Sequence, residues 1–346
     1  MGSSKRIYLI SIFWIGNILQ TGCSQKETNT GIALQEDWYR EQKLLYYGIP
    51  VQIAFSPADE TLATEVWDYL NGIDAIFNDY QKGSEIGIIN SNRTKTTVEL
   101  SPQLADAFIL ALALYRISDG AFDITTKPLR ELWKEAEQRG RRPIEKELAE
   151  LIQICGLDKV NLSGNRLSFV QSELRFDFGG VIKGIAVDGV IEMLKAVDIQ
   201  SAMIQIGGET AVFGQSIRGQ PHTIGIQAPE DLAKLWTAVS DQGYGLSIST
   251  SGNYRNPIII DGEKFYHIID PRSGMAVDTR ILSVSIVFPE TGKNWLADGL
   301  ATAATVIGPE KIIPLIEKLG GDGLLILRQN ETVHEVKTEG WDALTR

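Results

Sequence analysis

The first group of residues suited to chemistry is a glycine turn followed by a lysine, in the segment 176–184. We predict a strand there, then the glycines, then the start of a helix. Backbone N–H groups of such a turn can approach an anion, a helix N-terminus favours negative charge, and Lys183 adds a full positive charge. This chemistry suits a pyrophosphate. The segment matches neither a Walker A loop nor G-x-G-x-x-G, so on its own it is equally compatible with a structural turn and a solvated lysine.

A carboxylate and a hydroxyl form the second group, Asp298 and Thr302. They are four positions apart in a predicted helix, so they share one face. Hard oxygen ligands of this kind suit Mg²⁺, which also keeps waters and substrate phosphates in its shell. The alternative is structural: an aspartate near a helix N-terminus stabilises the dipole, and a threonine can bond its own backbone.

Two further segments carry polar groups at predicted turns. His267 and Asp270 lie where a predicted strand ends, and histidine can accept a proton or bond a phosphate oxygen. The segment 249–254 supplies hydroxyls and the aromatic ring of Tyr254, which can hydrogen-bond or stack on a ligand. An aspartate before proline is also an ordinary turn residue, and segment 249–254 is equally compatible with a surface turn.

Hydrophobic periodicity predicts the elements that position these groups. The predicted helices are Leu62–Phe77, Leu104–Ile117, Leu129–Gln138, Glu145–Ile154, Ile182–Ala196 and Trp295–Ile307. The predicted strands are Ile49–Phe55, Arg175–Phe178, Ala202–Ile206, Thr223–Gln227, Gly245–Ser249, Pro257–Ile260 and Ser283–Phe288. Many strands with fewer helices, at several hairpin-like spacings, predict an α+β fold with largely antiparallel sheets.

Composition limits the classes of function. A formal net charge of -11 disfavours nucleic-acid binding, and 43% hydrophobic residues are enough for a substantial core. The chain has two cysteines, so no disulfide framework is expected. Cys155 lies in an apolar stretch and is predicted to be a small core residue.

The N-terminal segment predicts export and a lipid anchor. Lys5 and Arg6 precede a mostly apolar run that is too short for a comfortable membrane span. A small residue directly before Cys23 resembles a lipobox, although Gln20 stands where that motif prefers leucine. We therefore expect a signal peptide at 1–22, a lipidated Cys23 at the start of a polar tether at 23–37, and one domain at 38–346. An ordinary secretion signal with an incidental cysteine is the alternative.

Taken together and in order, these segments and several others resemble the ApbE family of FAD:protein FMN transferases. The resemblance runs from about Tyr46 to Gly308, nearly all of the predicted domain. Its blocks are Tyr47-Gly48, Tyr80 with Ser84-Glu85 and Asn90, segment 120–125, segment 177–184 with Asp188, segment 206–209, segment 249–254, segment 267–274, and Asp298 with Thr302. The chain departs from the usual pattern at Tyr47, where the family has methionine, and at Val181-Ile182, where Ile-Ala is commoner.

The resemblance implies the family's two-layered, T-fold-like α+β arrangement and a set of site residues. It implies a Mg²⁺ site at Asp298, Thr302 and the main-chain carbonyl of Ile182. It implies His267, Asp270 and Lys183 as catalytic residues, with His267 or Asp270 as the base. The FAD contacts implied are Tyr47, Gly48, Tyr80, Asp123, Asp177, Gly180, Lys183, Gly208, Glu209, Ser249, Thr250, Tyr254 and His267.

The function implied is Mg²⁺-dependent transfer of FMN from FAD to a Thr or Ser hydroxyl of a target protein, with release of AMP. The implied partners are FAD and membrane electron-transport subunits, and the anchor would hold the enzyme to a membrane on its extracytoplasmic side, the periplasmic side in a Gram-negative cell. Two alternatives remain open: a Mg²⁺-dependent FAD pyrophosphatase that uses water, and a non-catalytic flavin-binding lipoprotein.

Overall fold

The structure is a computed structural model that describes residues 37–46, 48–92, 94–252, 258–277, 280–330 and 332–345. The strands are β1 (Tyr39–Leu45), β2 (Ile49–Ser56), β3 (Thr97–Glu99), β4 (Val160–Ser163), β5 (Arg166–Phe169), β6 (Ser201–Ile206), β7 (Glu209–Phe213), β8 (Thr223–Ala228), β9 (Asp231–Ser240), β10 (Leu246–Gly252), β11 (Ile258–Ile260), β12 (Glu263–Phe265), β13 (Ile281–Phe288), β14 (Asp322–Gln329) and β15 (Thr332–Lys337). The helices are α1 (Glu60–Phe77), α2 (Glu85–Ser91), α3 (Pro102–Ile117), α4 (Lys127–Arg139), α5 (Glu145–Ile154), α6 (Ile182–Lys195), α7 (Asn294–Ile307), α8 (Pro309–Lys318) and α9 (Trp341–Leu344).

One large antiparallel sheet organises the described residues. Its strand order is β1-β2-β6-β7-β10-β13-β14-β15, and every neighbouring pair is antiparallel. Strand β2 alternates buried and half-buried residues, whereas β13 is buried along its whole length because both of its faces are covered. Three small sheets, β3-β5-β4, β8-β9 and β11-β12, accompany it.

Helices α6 and α7 connect the sheet to the candidate site. Helix α6 packs on β6 and β7, α7 packs on β10 and β13, and the two helices pack on each other. Ten of the fourteen residues of α7 are buried, as expected for a helix that is apolar on nearly all sides. Gly184 permits the close approach of the two helices, since a Cβ there would lie 2.3 Å from the Asn294 carbonyl oxygen.

Hydrogen bonds fix the start of α7 to its neighbours. The Asp188 carboxylate, on α6, accepts the N–H groups of Asn294 (3.0 Å) and Trp295 (2.8 Å). The Asn294 side-chain amide donates to the backbone oxygens of Thr210 on β7 (3.0 Å) and Ile248 on β10 (3.1 Å). The first turn of α7 is therefore held by α6 and by two strands at once.

The predicted α+β class is confirmed, and each predicted helix overlaps an observed one. Six of the seven predicted strands also have an observed counterpart. The prediction of a strand at Arg175–Phe178 is wrong, because the side-chain amide of Asn90 takes the place of a strand neighbour. It accepts from the Phe176 N–H and donates to the Phe176 oxygen, both at 2.8 Å.

The N-terminal predictions fall on residues that the structure does not describe. These are the signal peptide at 1–22, Cys23 and nearly all of the tether at 23–37. Strand β1, which the sequence analysis did not predict, begins two residues after the end of that tether. Among the described residues, no helix has both the length and the apolar content that crossing a membrane requires.

Candidate active site

A lysine held between two buried carboxylates forms the centre of the candidate site. Lys183, in the first turn of α6, places Nζ 3.3 Å from Oδ1 and 3.4 Å from Oδ2 of Asp298 on α7. The same Nζ lies 3.3 Å from Oε1 of Glu209, the first residue of β7. The side chains of Asp298 and Glu209 are only 1% and 2% exposed, against 24% for Lys183. The close packing of α6 on α7 thus brings together three residues that are far apart in the sequence.

An oxygen-rich set of groups surrounds Asp298. Its Oδ2 accepts the backbone N–H of Gly184 at 3.1 Å. One helical turn later, Thr302 places Oγ1 3.4 Å from the carbonyl oxygen of Gly180. The prediction named the carbonyl of Ile182 as the main-chain ligand; Ile182 is the first residue of α6, and its role as a ligand stays a prediction. The carbonyl that the structure places against Thr302 is that of Gly180.

Glycine at position 180 is required by this contact. A Cβ there would lie 2.9 Å from Thr302 Oγ1 and 3.2 Å from Thr302 Cγ2. Contacts under 3.0 Å force a neighbour to move, so a larger residue would push the 180 carbonyl away from the hydroxyl. The glycine turn and helix α7 are therefore matched in shape at the candidate ligands.

Glu209 is held by strand β10 on its other side. Ser249 Oγ donates to Glu209 Oε1 at 3.2 Å, while Oε2 has no hydrogen-bond partner among the described residues. The neighbouring Gly208 accepts the N–H of Thr250 at 3.1 Å, and Thr250 Oγ1 shares a hydrogen bond with Ser285 (2.9 Å). The predicted residues Gly208, Glu209, Ser249 and Thr250 are thus brought together.

The electrostatics of the centre reflect burial and paired charge. Burial raises the pKa of Glu209 to about 8, with the Asp298 carboxylate adding to the rise and Lys183 opposing it. Burial alone would lower the pKa of Lys183, but the carboxylates of Asp298 and Glu209 outweigh burial and raise it. Lys183 is therefore a fixed positive charge at neutral pH.

Arg130 is a site residue that the sequence analysis missed. It forms an ion pair with Asp177 and donates to the Tyr80 hydroxyl at 3.0 Å. Asp177 Oδ1 also accepts the Gly179 N–H at 2.9 Å. Tyr80 is 62% exposed, so much of its ring is accessible beside this charged pair. Helix periodicity placed Arg130 on a charged surface helix, and only the fold pairs it with Asp177.

His267 has the surroundings of a neutral base. Burial and the charge of Arg130 lower the pKa of His267, against the opposing effect of Asp177. Its Nδ1 is buried without a hydrogen-bond partner among the described residues. Asp270 is engaged differently, because its carboxylate accepts the backbone N–H, Nε and Nη2 of Arg272, each at 2.9 Å. Of the two predicted bases, His267 is therefore the better candidate.

The remaining predicted contacts lie at turns. The Asp123 carboxylate accepts hydrogen bonds from Thr125 N (2.8 Å), Thr125 Oγ1 (2.7 Å) and Leu157 N (3.3 Å), and burial raises the pKa of Asp123 to about 6. Gly48 lies in the β1–β2 turn with φ +100°. Tyr47 and Tyr254 lie outside the described residues. Asp123 therefore shapes its own loop, and its predicted contact with FAD stays a prediction.

A cavity of about 580 Å³ opens beside the C-terminal end of α7. Asp270 and Thr305 line it, together with Arg280, Arg328 and His334. Its lining does not include Lys183, Glu209 or Asp298, so the charged centre and this cavity are separate features.

Comparison with known proteins agrees with the family resemblance. The family model for the ApbE family matches residues 47–325. Similar curated proteins named FAD:protein FMN transferase come from Vibrio cholerae, 31% identical over 80% of this chain and 82% of that protein, and from Haemophilus influenzae, 29% identical over 80% of this chain and 81% of that protein.

Solved structures support the same fold. The flavinyl transferase ApbE of Pseudomonas stutzeri, in its apo form, is 29% identical with a TM-score of 0.77, covering 89% of this chain and 96% of that one. The flavin transferase ApbE of Vibrio cholerae is 28% identical with a TM-score of 0.76, covering 89% and 99%. These matches confirm the predicted fold and the predicted family. The chain belongs to the ApbE family.

Proposed function

We propose that this protein transfers FMN from FAD to a Thr or Ser hydroxyl of a target protein with the help of Mg²⁺. Flavin transfer follows from membership of the ApbE family and from relatives named FAD:protein FMN transferase. The metal, the hydroxyl acceptor and the membrane anchor are the finer parts of the proposal. The observation that supports the metal and pyrophosphate chemistry is the Lys183 centre, where an ammonium, two carboxylates and a glycine turn converge on the start of α6.

The donor set fits a hard divalent cation. Asp298 offers a carboxylate, Thr302 a hydroxyl and Gly180 a carbonyl, and these are the oxygen ligands that Mg²⁺ prefers. Within the described ranges, no three His, Cys, Asp or Glu side chains cluster as ligands, and the proposed site uses one carboxylate, that of Asp298. Bound Mg²⁺ would neutralise pyrophosphate charge and stabilise the departing AMP oxygens.

The chain's own residues supply binding, orientation and a proton acceptor. Lys183 and the N–H groups of the glycine turn would hold the pyrophosphate. The acceptor oxygen then bonds to the phosphorus on the FMN side, and the bond from that phosphorus to the bridging oxygen breaks. AMP leaves with the bridging oxygen, while His267 takes the hydroxyl proton. The exposed ring of Tyr80 would pack on the flavin.

The decisive assay follows two products together. The protein from Ser24 onward is incubated with FAD and Mg²⁺, with and without an acceptor domain that carries a threonine. We expect the acceptor to gain the mass of one FMN while AMP appears. AMP and free FMN without a gain in acceptor mass would instead establish the pyrophosphatase, and FAD binding without AMP would establish a non-catalytic flavin carrier.

The anchor is proposed from residues 1–37 of the sequence. A lipidated Cys23 would tether the enzyme to a membrane on its extracytoplasmic side, periplasmic in a Gram-negative cell, within reach of membrane electron-transport subunits. We expect Cys23→Ser to shift the protein from the membrane fraction to the soluble fraction without loss of FMN transfer in vitro. Unchanged membrane association of that variant would rule out the lipid anchor.

A further inference from the structure

Lys183 holds the carboxylate that the proposed metal needs. Its ammonium contacts both oxygens of Asp298, at 3.3 Å and 3.4 Å, and also one oxygen of Glu209. Asp298 is almost completely buried and has one further donor, the Gly184 N–H. A cation that binds Asp298 must therefore share the carboxylate with a positive charge about 3 to 4 Å away or displace it.

The geometry allows the lysine to leave without a change of fold. The backbone of the first turn of α6 is fixed, because Gly184 lies against the Asn294 carbonyl. The Lys183 side chain, in contrast, is about a quarter exposed and has a flexible four-carbon stem. A rotation of that side chain would let the ammonium leave the carboxylates for the neighbouring glycine turn, where the pyrophosphate of FAD is proposed to lie.

We propose that Lys183 closes the metal site in the FAD-free protein and opens it when the pyrophosphate of FAD draws the ammonium away. This inference rests on the proposed function, because it takes Asp298 as the metal ligand and the pyrophosphate as the alternative partner of Lys183. Metal and FAD then bind cooperatively. The free enzyme holds the metal weakly, and each ligand strengthens the other by the same factor.

Binding of Mn²⁺ to the FAD-free protein tests whether Lys183 blocks the metal site. Free Mn²⁺ is measured from its EPR signal for wild type and Lys183→Met, each with and without saturating FAD and with a protein-free FAD blank. We expect FAD to tighten Mn²⁺ binding to wild type by roughly 5- to 150-fold, the usual range of coupling between sites. Lys183→Met should bind Mn²⁺ in the absence of FAD at least roughly tenfold tighter than wild type.

Lys195→Met is the matched control. Lys195 lies in the last turn of the same helix, is exposed and contacts Thr291, so its removal changes the net charge equally but leaves Asp298 untouched. It should bind Mn²⁺ as wild type does. If Lys183→Met fails to fold by circular dichroism, Lys183→Gln replaces it.

The two ways in which the proposal can fail are distinguishable. If FAD-free Lys183→Met binds Mn²⁺ as weakly as wild type or more weakly, Lys183 does not block the metal site. The proposed metal site itself is not affected by that result. Unchanged Mn²⁺ binding by Asp298→Ala in the presence of FAD overturns the metal site itself, and with it the metal part of the proposed function.

Discussion

At the residue scale, the buried charges of the site are stabilised by ion pairs and hydrogen bonds. Two carboxylates that are almost fully buried share a single ammonium, and Gly184 N and Ser249 Oγ supply further donors. A buried charge without partners would cost several kcal/mol. Glu209 Oε2 has no hydrogen-bond partner among the described residues, and burial raises the pKa of this carboxyl group.

Gly180→Ala tests the match between the glycine turn and α7. The added methyl group would lie 2.9 Å from Thr302 Oγ1, so the 180 carbonyl and the hydroxyl must separate. We expect Mn²⁺ affinity in the presence of FAD to fall by roughly 10- to 100-fold, the range for lost supporting groups of a metal site. Gly83→Ala, an exposed turn position with no atom within 4 Å of the new Cβ, is the control. Equal affinities of the two variants would contradict the ligand set.

Cys155 is expected to be chemically inert in the folded protein. Burial raises the pKa of its thiol to about 12, so very little thiolate exists at pH 8. In the protein from Ser24 onward it is the single cysteine. Mass spectrometry should show no iodoacetamide adduct on the native protein and complete modification in urea. Rapid labelling of the native protein would show that this part of the core opens readily.

Some site residues could be predicted from the sequence and others could not. Lys183, Glu209 and Asp298 stand in ordered blocks that resemble the family, so their common site was predictable. Arg130 was not, because a charged helix face does not reveal which distant carboxylate it pairs with. The contact of Thr302 Oγ1 with the Gly180 carbonyl was also not predictable, because it depends on how the glycine turn packs on α7.

At the element scale, the contact of α6 with α7 determines the site. Gly184 sits where these helices touch, and a methyl group added to it would lie 2.3 Å from the Asn294 oxygen and 2.8 Å from the Trp295 Cα. Both neighbours are backbone atoms, which cannot rotate away. The helices would have to separate, and Asp298 would move away from Lys183.

A pair of glycine substitutions measures this contact. Gly184→Ala should lower the free energy of unfolding by about 1 to 3 kcal/mol through overpacking. Gly72→Ala, in the interior of α1 with no atom within 4 Å of the new Cβ, should raise it by about 0.5 to 1 kcal/mol. Urea denaturation of both variants provides the comparison. A stabilised Gly184→Ala would show that the two helices are not tightly packed there.

The strand predictions failed where the local residue pattern does not match the hydrogen bonding with distant segments. The segment 175–178 alternates charged and aromatic residues as a strand does, yet the Asn90 side chain binds the Phe176 backbone in place of a neighbouring strand. Strand β1 escaped prediction because its residues are mostly polar, as befits the edge of a sheet. In both cases the missing information is which other segment supplies the hydrogen bonds.

At the scale of the whole molecule, alternation and turn spacing were enough for the α+β class but not for strand order. The central sheet joins β2 to β6 and β10 to β13, pairs separated by helices or by a smaller sheet. Periodicity describes one segment at a time and carries no information on such pairings. The order rests on how apolar faces are buried together, which the sequence pattern alone does not encode.

The buried centre formed by α6, α7 and β7 is proposed to perform FMN transfer. The most direct test is the single-turnover rate of FMN transfer to a threonine-bearing acceptor, measured for Asp298→Ala and for Asp68→Ala, an exposed aspartate of α1. We predict at least roughly a 100-fold loss for Asp298→Ala and none for Asp68→Ala, with both variants folded. Transfer by folded Asp298→Ala at the wild-type rate would contradict the account.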